Sequence, residues 1–368
     1  MTTIETVATH PAEDRRAAAR SALADRTRSF TALSQQVRAA GLNTRARWFY
    51  LALFSGLVAA LAGAVTGMVL LRDSWFQLLI AAALGVIFTQ FAFLGHEASH
   101  RQVLASGPAN DRLGRVLANL FVGISYSWWM TKHSRHHGNP NRVGKDPDIA
   151  LGTVAFVPED AATTRGLRAW VVRRQGWLFF PLLPFVGVDL HQASFRGLFG
   201  RGRIEGRALE LVLLGARSVI YLGLLFWLLP VGMAFAFLGV QLAVFGIYMG
   251  ASFAPNHIGM PVVPADSRLG FLDKQVLTSR NIAGGWWATA LMGGLNYQIE
   301  HHLFPSMPRP HLSRARRLVR EHCREHGVPY TETSLARGLA AVVRHMNQVG
   351  LSAPVGFRCP TMVNLERG

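Results

Sequence analysis

Cysteine is nearly absent from this chain, with Cys323 and Cys359 the only two. That excludes a disulfide framework and any thiolate-bound metal cluster, and it fits a reduced, cytosol-facing setting for both thiols. Charge is also scarce: 16% of residues are charged against 50% hydrophobic, and the mean hydropathy is +0.22. An ordinary soluble enzyme is too polar for that balance, whereas a polytopic membrane protein matches it. Acidic residues are the scarcer sign, 21 against 38 Lys and Arg, which leaves a formal charge of +17. Nucleic acid, anionic lipid or an acidic protein could each answer such an excess. In a membrane chain basic residues also set topology, so nucleic acid is not an expected partner. Residues 1–46 are polar, with Arg15, Arg16, Arg20, Arg26 and Arg28 and no apolar stretch, which is not the pattern of a signal peptide. There is no internal repeat, and no G-x-G-x-x-G is placed between strand and helix for a nucleotide.

Four long apolar runs stand out: Trp48–Leu71, Trp75–Leu94, about Leu209–Leu229 and about Val231–Ala254. Each is long enough to cross a hydrocarbon core of roughly 30 Å as a helix. Only Arg72, Asp73 and Ser74 separate the first two, and Pro230 and Gly232 mark the turn between the last two. The fold class is therefore an all-α integral membrane protein, with four transmembrane helices in two hairpins and a cytosolic helical cap. The expected division is a cytosolic segment 1–46, hairpin 47–95, an interfacial region 96–208, hairpin 209–254 and a cytosolic region 255–368. Nearly all Lys and Arg lie in 1–47, 101–208 and 255–368, which an even number of crossings puts on one side; the positive-inside bias makes it the cytosol, at the plasma or inner membrane. Arg217, inside the third run, has three open placements: it snorkels, it faces the protein interior, or the span starts later. Val116–Met130 and Trp177–Leu190, the second broken by Pro181 and Pro184, read as helices lying in the interface. Trp128, Trp129, Trp177, Trp286 and Trp287 suit an interfacial belt or plain packing.

Of 14 histidines, eight fall in four groups: His96 and His100 in "HEASH", His133, His136 and His137 in "HSRHH", His257 in "PNHIG", and His301 and His302 in "QIEHH". On a helix, positions i, i+3 and i+4 share a face, so His96 and His100 point one way and His133 joins His136 or His137. The adjacent pairs diverge by about 100° and can serve two neighbouring metals. The first group caps the second span and the others follow in the segments assigned to the same side. They converge only if the number of crossings between groups is even. Eight imidazoles exceed the three protein ligands of a catalytic zinc, so the count points to two metals. Imidazole without thiolate suits zinc, copper, iron or nickel. His322 and His326 also stand at i, i+4, but in the basic segment 314–324, and read as surface residues; His10, His311 and His345 read as bland. His191, after Asp189, is a candidate ligand or supporting group.

The spacing H-x3-H, H-x2-H-H and Q-x2-H-H resembles the membrane fatty acid desaturases, and the glutamine-led third box resembles their front-end, or acyl-lipid, branch. The resemblance covers about residues 45–330 and is most specific in "LNYQIEHHLFPSMPRPHLSRARRLVREHC"; "APNHIGMP" resembles the segment that supplies an additional histidine. It implies a non-haem di-iron centre, two iron ions with O2 as co-substrate, held by His96, His100, His133, His136, His137, His257, His301 and His302. Gln298, which stands where other desaturases carry histidine, is expected as a weak ligand or hydrogen-bonding group. Asn256 is a candidate for positioning water. Asp146 and Asp148 in "GKDPDIA" are candidates to accept the outer N–H of a ligand histidine. Glu97 stands where aspartate is common in relatives and is a possible supporting residue. The His-Pro-Gly-Gly haem motif of many eukaryotic front-end enzymes is missing from this sequence, so electrons are expected from an external donor such as ferredoxin with its reductase, steered by the basic face.

The reaction implied is O2-dependent insertion of a double bond into a long acyl chain, presented as a coenzyme A, carrier-protein or lipid-linked substrate. A histidine-box hydroxylase or oxygenase would share the ligands. A zinc peptidase built on H-E-x-x-H, with Glu97 as general base, would leave five or six histidines unexplained. A metal transporter would place polar residues within the spans, which here hold no histidine before their cytosolic ends.

Overall fold

In a computed structural model, residues 26–200 and 204–353 are described. His10, Arg15, Arg16, Arg20 and Cys359 lie outside them. The described residues begin with helix α1 (26–39), followed by the long apolar helices α2 (Arg47–Leu71) and α3 (Gln77–Ser99). Their hairpin turns at Arg72, whose φ is +50°, and Gln77 closes it by donating its amide to the carbonyls of Met68 and Arg72 at 2.7 and 2.9 Å. These carbonyls have no intrahelical partner at a helix end, so a side-chain donor there replaces water.

Helix α4 (Gly107–Arg115) runs into a π-helical turn, Val116–Val122, which Gly123 ends in the left-handed region at φ +92°. Ser125 then caps α5 (Tyr126–Gly138) by accepting the Trp128 N–H. Short helices α6 (Pro158–Thr163) and α7 (Gly166–Arg173) lead to α8 (Gln175–Phe199), and α9 (Arg207–Leu228) and α10 (Val231–His257) form the second long hairpin. At its turn Leu229 is extended, the conformation imposed on a residue before proline, here Pro230.

The C-terminal part comprises α11 (Phe271–Leu277), β1 (Asn281–Ala283), α12 (Gly285–Leu291), a 3-10 turn (Leu295–Tyr297), α13 (Gln298–Leu303), α14 (Arg309–Glu325), β2 (Glu332–Ser334) and α15 (Leu335–Gly350). The two strands pair in parallel, Asn281 opposite Glu332. Helix α14 buries Leu312, Ala315, Val319 and Cys323 in a cluster that includes Leu33 and Val37 of α1.

Among the described residues, five helices are long and apolar enough to cross a membrane: α2, α3, α8, α9 and α10. Their outward faces carry exposed Leu70, Val219, Trp227 and Val231, as expected of surfaces meeting lipid rather than water. The chain is thus a mostly helical membrane protein. Two segments differ from the sequence expectation: Val116–Met130 is divided at Gly123–Ser125 into the π-helical turn and the start of α5, and α8 runs unbroken through Pro181 and Pro184, longer than the interfacial segment 177–190. Its contact with α10 explains the persistence, because Gly187 lies against the Leu242 carbonyl and Gly246 against the carbonyls of Leu183 and Pro184. Arg217 faces the protein interior, donating to the Phe121 carbonyl at 3.3 Å with its guanidinium 3.9 Å from the Tyr221 ring centroid. Trp286 and Trp177 are largely exposed, whereas Trp129 stacks on His133.

Candidate metal centre

Four separate elements bring the histidine groups to one place. His96 lies in the last turn of α3 with His100 as its C-cap, α5 carries His133, His136 and His137, His257 ends α10, and α13 carries His301 and His302. The rings divide into two sets. His96, His100, His133, His137 and His301 place one nitrogen each within 4.8 Å of one another, and so do His136, His257 and His302. Both adjacent pairs are split between the sets, their rings at 89° for His136–His137 and 88° for His301–His302. The sets themselves touch where His137 stacks on His302, centroids 4.2 Å apart.

Hydrogen bonds on the outer nitrogens aim the inner ones. His136 Nδ1 faces the Asp146 carboxylate at 3.0 Å, and His257 Nδ1 donates to the Thr278 carbonyl at 2.9 Å. Gln275 gives its amide N–H to the His137 carbonyl, so its oxygen is free to accept from His302 Nδ1 at 2.9 Å. A neutral imidazole has one N–H, so with Nδ1 protonated each Nε2 is a bare lone pair. His136 and His257 then oppose their Nε2 atoms at 3.3 Å, a repulsion that a proton or a metal cation between them would relieve. His302 Nε2 and His96 Nε2 are buried with no hydrogen-bond partner. Buried acceptors of this kind are costly unless something fills them.

Electrostatics point the same way. Burial pulls the His100 pKa down to about 3, and burial with neighbouring imidazoles holds His133, His137, His301 and His302 well below the ordinary value. These rings are neutral at pH 7, the state in which imidazole binds metal. His136 is the exception: burial lowers it, but the carboxylates of Asp148 and Asp146 outweigh that and raise it. Asp148 Oδ2 is 3.4 Å from His136 Nδ1 and its other oxygen holds Lys132 at 2.8 Å.

The remaining expected groups fall into place unequally. Gln298 directs its amide nitrogen to His257 Nε2 at 2.9 Å, its oxygen accepting from Asn256 Nδ2 at 3.1 Å. Asn256 Oδ1 is buried without a partner. His191 does not reach the sets: its ring nitrogens face the carbonyls of Gly187 and Val122, at 2.7 and 3.3 Å. Glu97 points away from the rings. Arg309 grips it with two parallel bonds, 2.7 and 2.6 Å, and the Tyr50 hydroxyl is 3.3 Å away while accepting the Arg309 backbone N–H. A carboxylate so engaged cannot activate water beside a metal at His96 and His100. His322 is buried rather than on the surface, its Nε2 2.7 Å from Ser29 Oγ, because α1 covers that face of α14.

Sequence reasoning missed Gln275, Thr278, Trp129 and Arg309. Glutamine and threonine outside any motif, and one arginine among the many basic residues that follow the third box, give no signal of their partners, and the Thr278 contact is made by backbone. Asn281 was also missed: it accepts the Ile299 N–H and donates to Glu300 at 2.7 Å, bracing the turn that carries the third box.

A cavity of about 390 Å³ opens beside the rings, lined by His96, His133, His136, His257 and Gln298 at one end and by Phe179, Leu183, Val186, Met249 and Phe253 elsewhere. Most of its wall is apolar, as in sites for lipid-like ligands.

The sequence model of the fatty acid desaturase family matches residues 73–334, and the chain belongs to that family. Among characterised proteins it is 30% identical over 284 residues to the Delta(6)-fatty-acid desaturase of Caenorhabditis elegans, covering 73% of this chain and 64% of the worm enzyme. It is 31% identical over 287 residues to an acyl-lipid (9-3)-desaturase of Physcomitrium patens, covering 74% of this chain and 53% of the moss enzyme. Against the Delta(8)-fatty-acid desaturase of Borago officinalis it is 26% identical over 340 residues, covering 89% and 76%.

Proposed function

We propose that this chain is a membrane-bound desaturase that introduces a double bond into a long acyl chain, using O2 and electrons from an external donor. The observation that carries it is the pair of imidazole sets at one end of a largely apolar cavity, with the buried Nε2 atoms of His96 and His302 left without a hydrogen-bond partner. Eight imidazoles without thiolate suit two iron ions, one held by His96, His100, His133, His137 and His301, the other by His136, His257 and His302 with Gln298 beside them. When bound, the irons would supply dioxygen activation, O2 leaving as two waters as the acyl chain loses two hydrogens, the donor gives two electrons and two protons are taken up from water. The protein's own share is positioning. Asp146, Thr278 and Gln275 fix the ring tautomers, Trp129 holds His133 by stacking, and the apolar wall presents two adjacent methylenes while keeping water out.

Four crossings, in the hairpins 47–95 and 209–254, are supported by the same geometry. Between His136 and His257 the chain passes through α8, α9 and α10, and rings 3.3 Å apart require an even number of these to cross. We take α8 as the helix that does not cross, because both its ends meet helices outside the hairpins: near its start Gly176 meets Asn347 of α15, and near its end Gly197 meets Trp128 of α5. The basic residues of the segments outside the hairpins favour a cytosolic site and an acidic donor, ferredoxin being the simplest. The relatives' names speak of acyl-lipid and fatty-acid substrates, and the apolar lining suits the acyl chain that lipid, coenzyme A and carrier-protein substrates share.

Expression in a host with a compatible donor, followed by mass spectrometry of its acyl chains, tests the proposal. A new double bond at a defined carbon is expected; a hydroxylated chain as sole product would assign the site to an oxygenase instead.

A further inference from the structure

The wall of the acyl cavity contains one glycine whose surroundings differ from those of its neighbours on the same helices. Gly246 of α10 and Gly187 of α8 are surrounded by backbone: a Cβ on Gly246 would lie 2.5 Å from Gly187 N and 2.6 Å from the Leu183 carbonyl, and one on Gly187 would lie 2.3 Å from the Leu242 carbonyl. Backbone cannot step aside, so the two helices are in direct contact there and no chain can pass between them. One turn nearer the histidines, Gly250 lines the cavity together with Leu183, Val186 and Met249. A Cβ on Gly250 would meet only side chain, the Leu183 Cδ2 methyl at 2.5 Å, with Leu183 Cγ at 3.7 Å and Val186 Cγ2 at 3.9 Å beyond it. Leu183 would therefore have to give way, and its side chain lines the cavity.

We infer that Gly250 and Leu183 together set the bore of the cavity in the first layer above the α8–α10 contact, and so fix how long an acyl chain is accepted. Gly250 stands seven residues before His257, about 10 Å along the helix axis at 1.5 Å per residue. A side chain added there shortens the space below the rings without touching a metal-facing group. Removing bulk from Leu183 lengthens or widens it. The inference rests on the desaturase proposal for its substrate, but the bore itself is a property of the wall.

The test uses four proteins: wild type, Gly250→Ala, Leu183→Ala and, as a stronger version, Gly250→Val. Each is expressed with the same donor and supplied with saturated acyl chains of graded length, and conversion is read for every length. Gly250→Ala is expected to lose the longest chains by about tenfold relative to the shortest, Gly250→Val more, and Leu183→Ala to shift the limit the opposite way, with bound iron unchanged. In parallel, stabilisation of each purified protein against heat by the same graded fatty acids reports the bore without turnover. Length profiles that coincide in all proteins, in conversion and in stabilisation, would overturn the inference. A wild type that makes no double bond yet shows the opposed shifts in stabilisation would overturn the desaturase proposal and leave the bore assignment standing.

Discussion

Replacing Glu97 by leucine removes one half of an ion pair that is almost wholly buried, with side-chain exposure of 4% for Arg309 and 3% for Glu97. The pair joins α3, between its two histidines, to the first turn of α14, and Tyr50 of α2 hydrogen-bonds to both partners. Breaking such a pair leaves an uncompensated buried charge and costs about 3–5 kcal/mol, a large share of a total stability of about 5–15 kcal/mol. Arg309→Met should cost a similar amount. The double variant, Glu97→Leu with Arg309→Met, should cost far less than the sum, because an apolar pair of similar volume replaces both charges. Unfolding of the detergent-solubilised proteins by denaturant measures all four corners of this cycle. Single variants within about 0.5 kcal/mol of wild type, the range of ordinary surface changes, would refute the claim that this pair ties the first histidine box to the C-terminal cap.

Two further outcomes follow from the same geometry. Asp146→Asn weakens the charge-assisted bond that orients His136, and metal affinity should fall about 10–100-fold; competition with a chelator measures it. In metal-free protein, His100 has its pKa held down to about 3 and His301 lies well below its ordinary value, so the folded state binds fewer protons than the unfolded one. Stability from these rings is fully present above the unfolded value of about 6.5 and is lost as the pH falls from there toward 3, which unfolding midpoints across that range will show.

The two hairpins and the four histidine groups were legible because each rests on a local signal: an uninterrupted apolar run in one case, a fixed spacing in the other. The runs gave α2 and α9 to within about two residues at each end. Helix α8 was not legible. Pro181 and Pro184 read as breakers, since each removes a backbone donor, yet the backbone contact of Gly187 and Gly246 with the facing helix holds the segment helical. His322 was read as a surface residue from the basic residues around it, and only the packing of α1 on α14 buries it. At the site, which nitrogen of each ring faces inward depends on Gln275 and on the carbonyl of Thr278, contacts made across 27 and 21 residues that no spacing rule encodes. Arg309 was hidden for the same reason, 212 residues from Glu97.

Whether these imidazoles hold two irons is answered most directly by counting metal in the purified protein, with Mössbauer spectroscopy of iron-57-labelled material to show the two sites coupled. Two irons per chain with distinct, coupled signals are predicted. One zinc per chain, or iron bound at a single isolated site, would contradict the account.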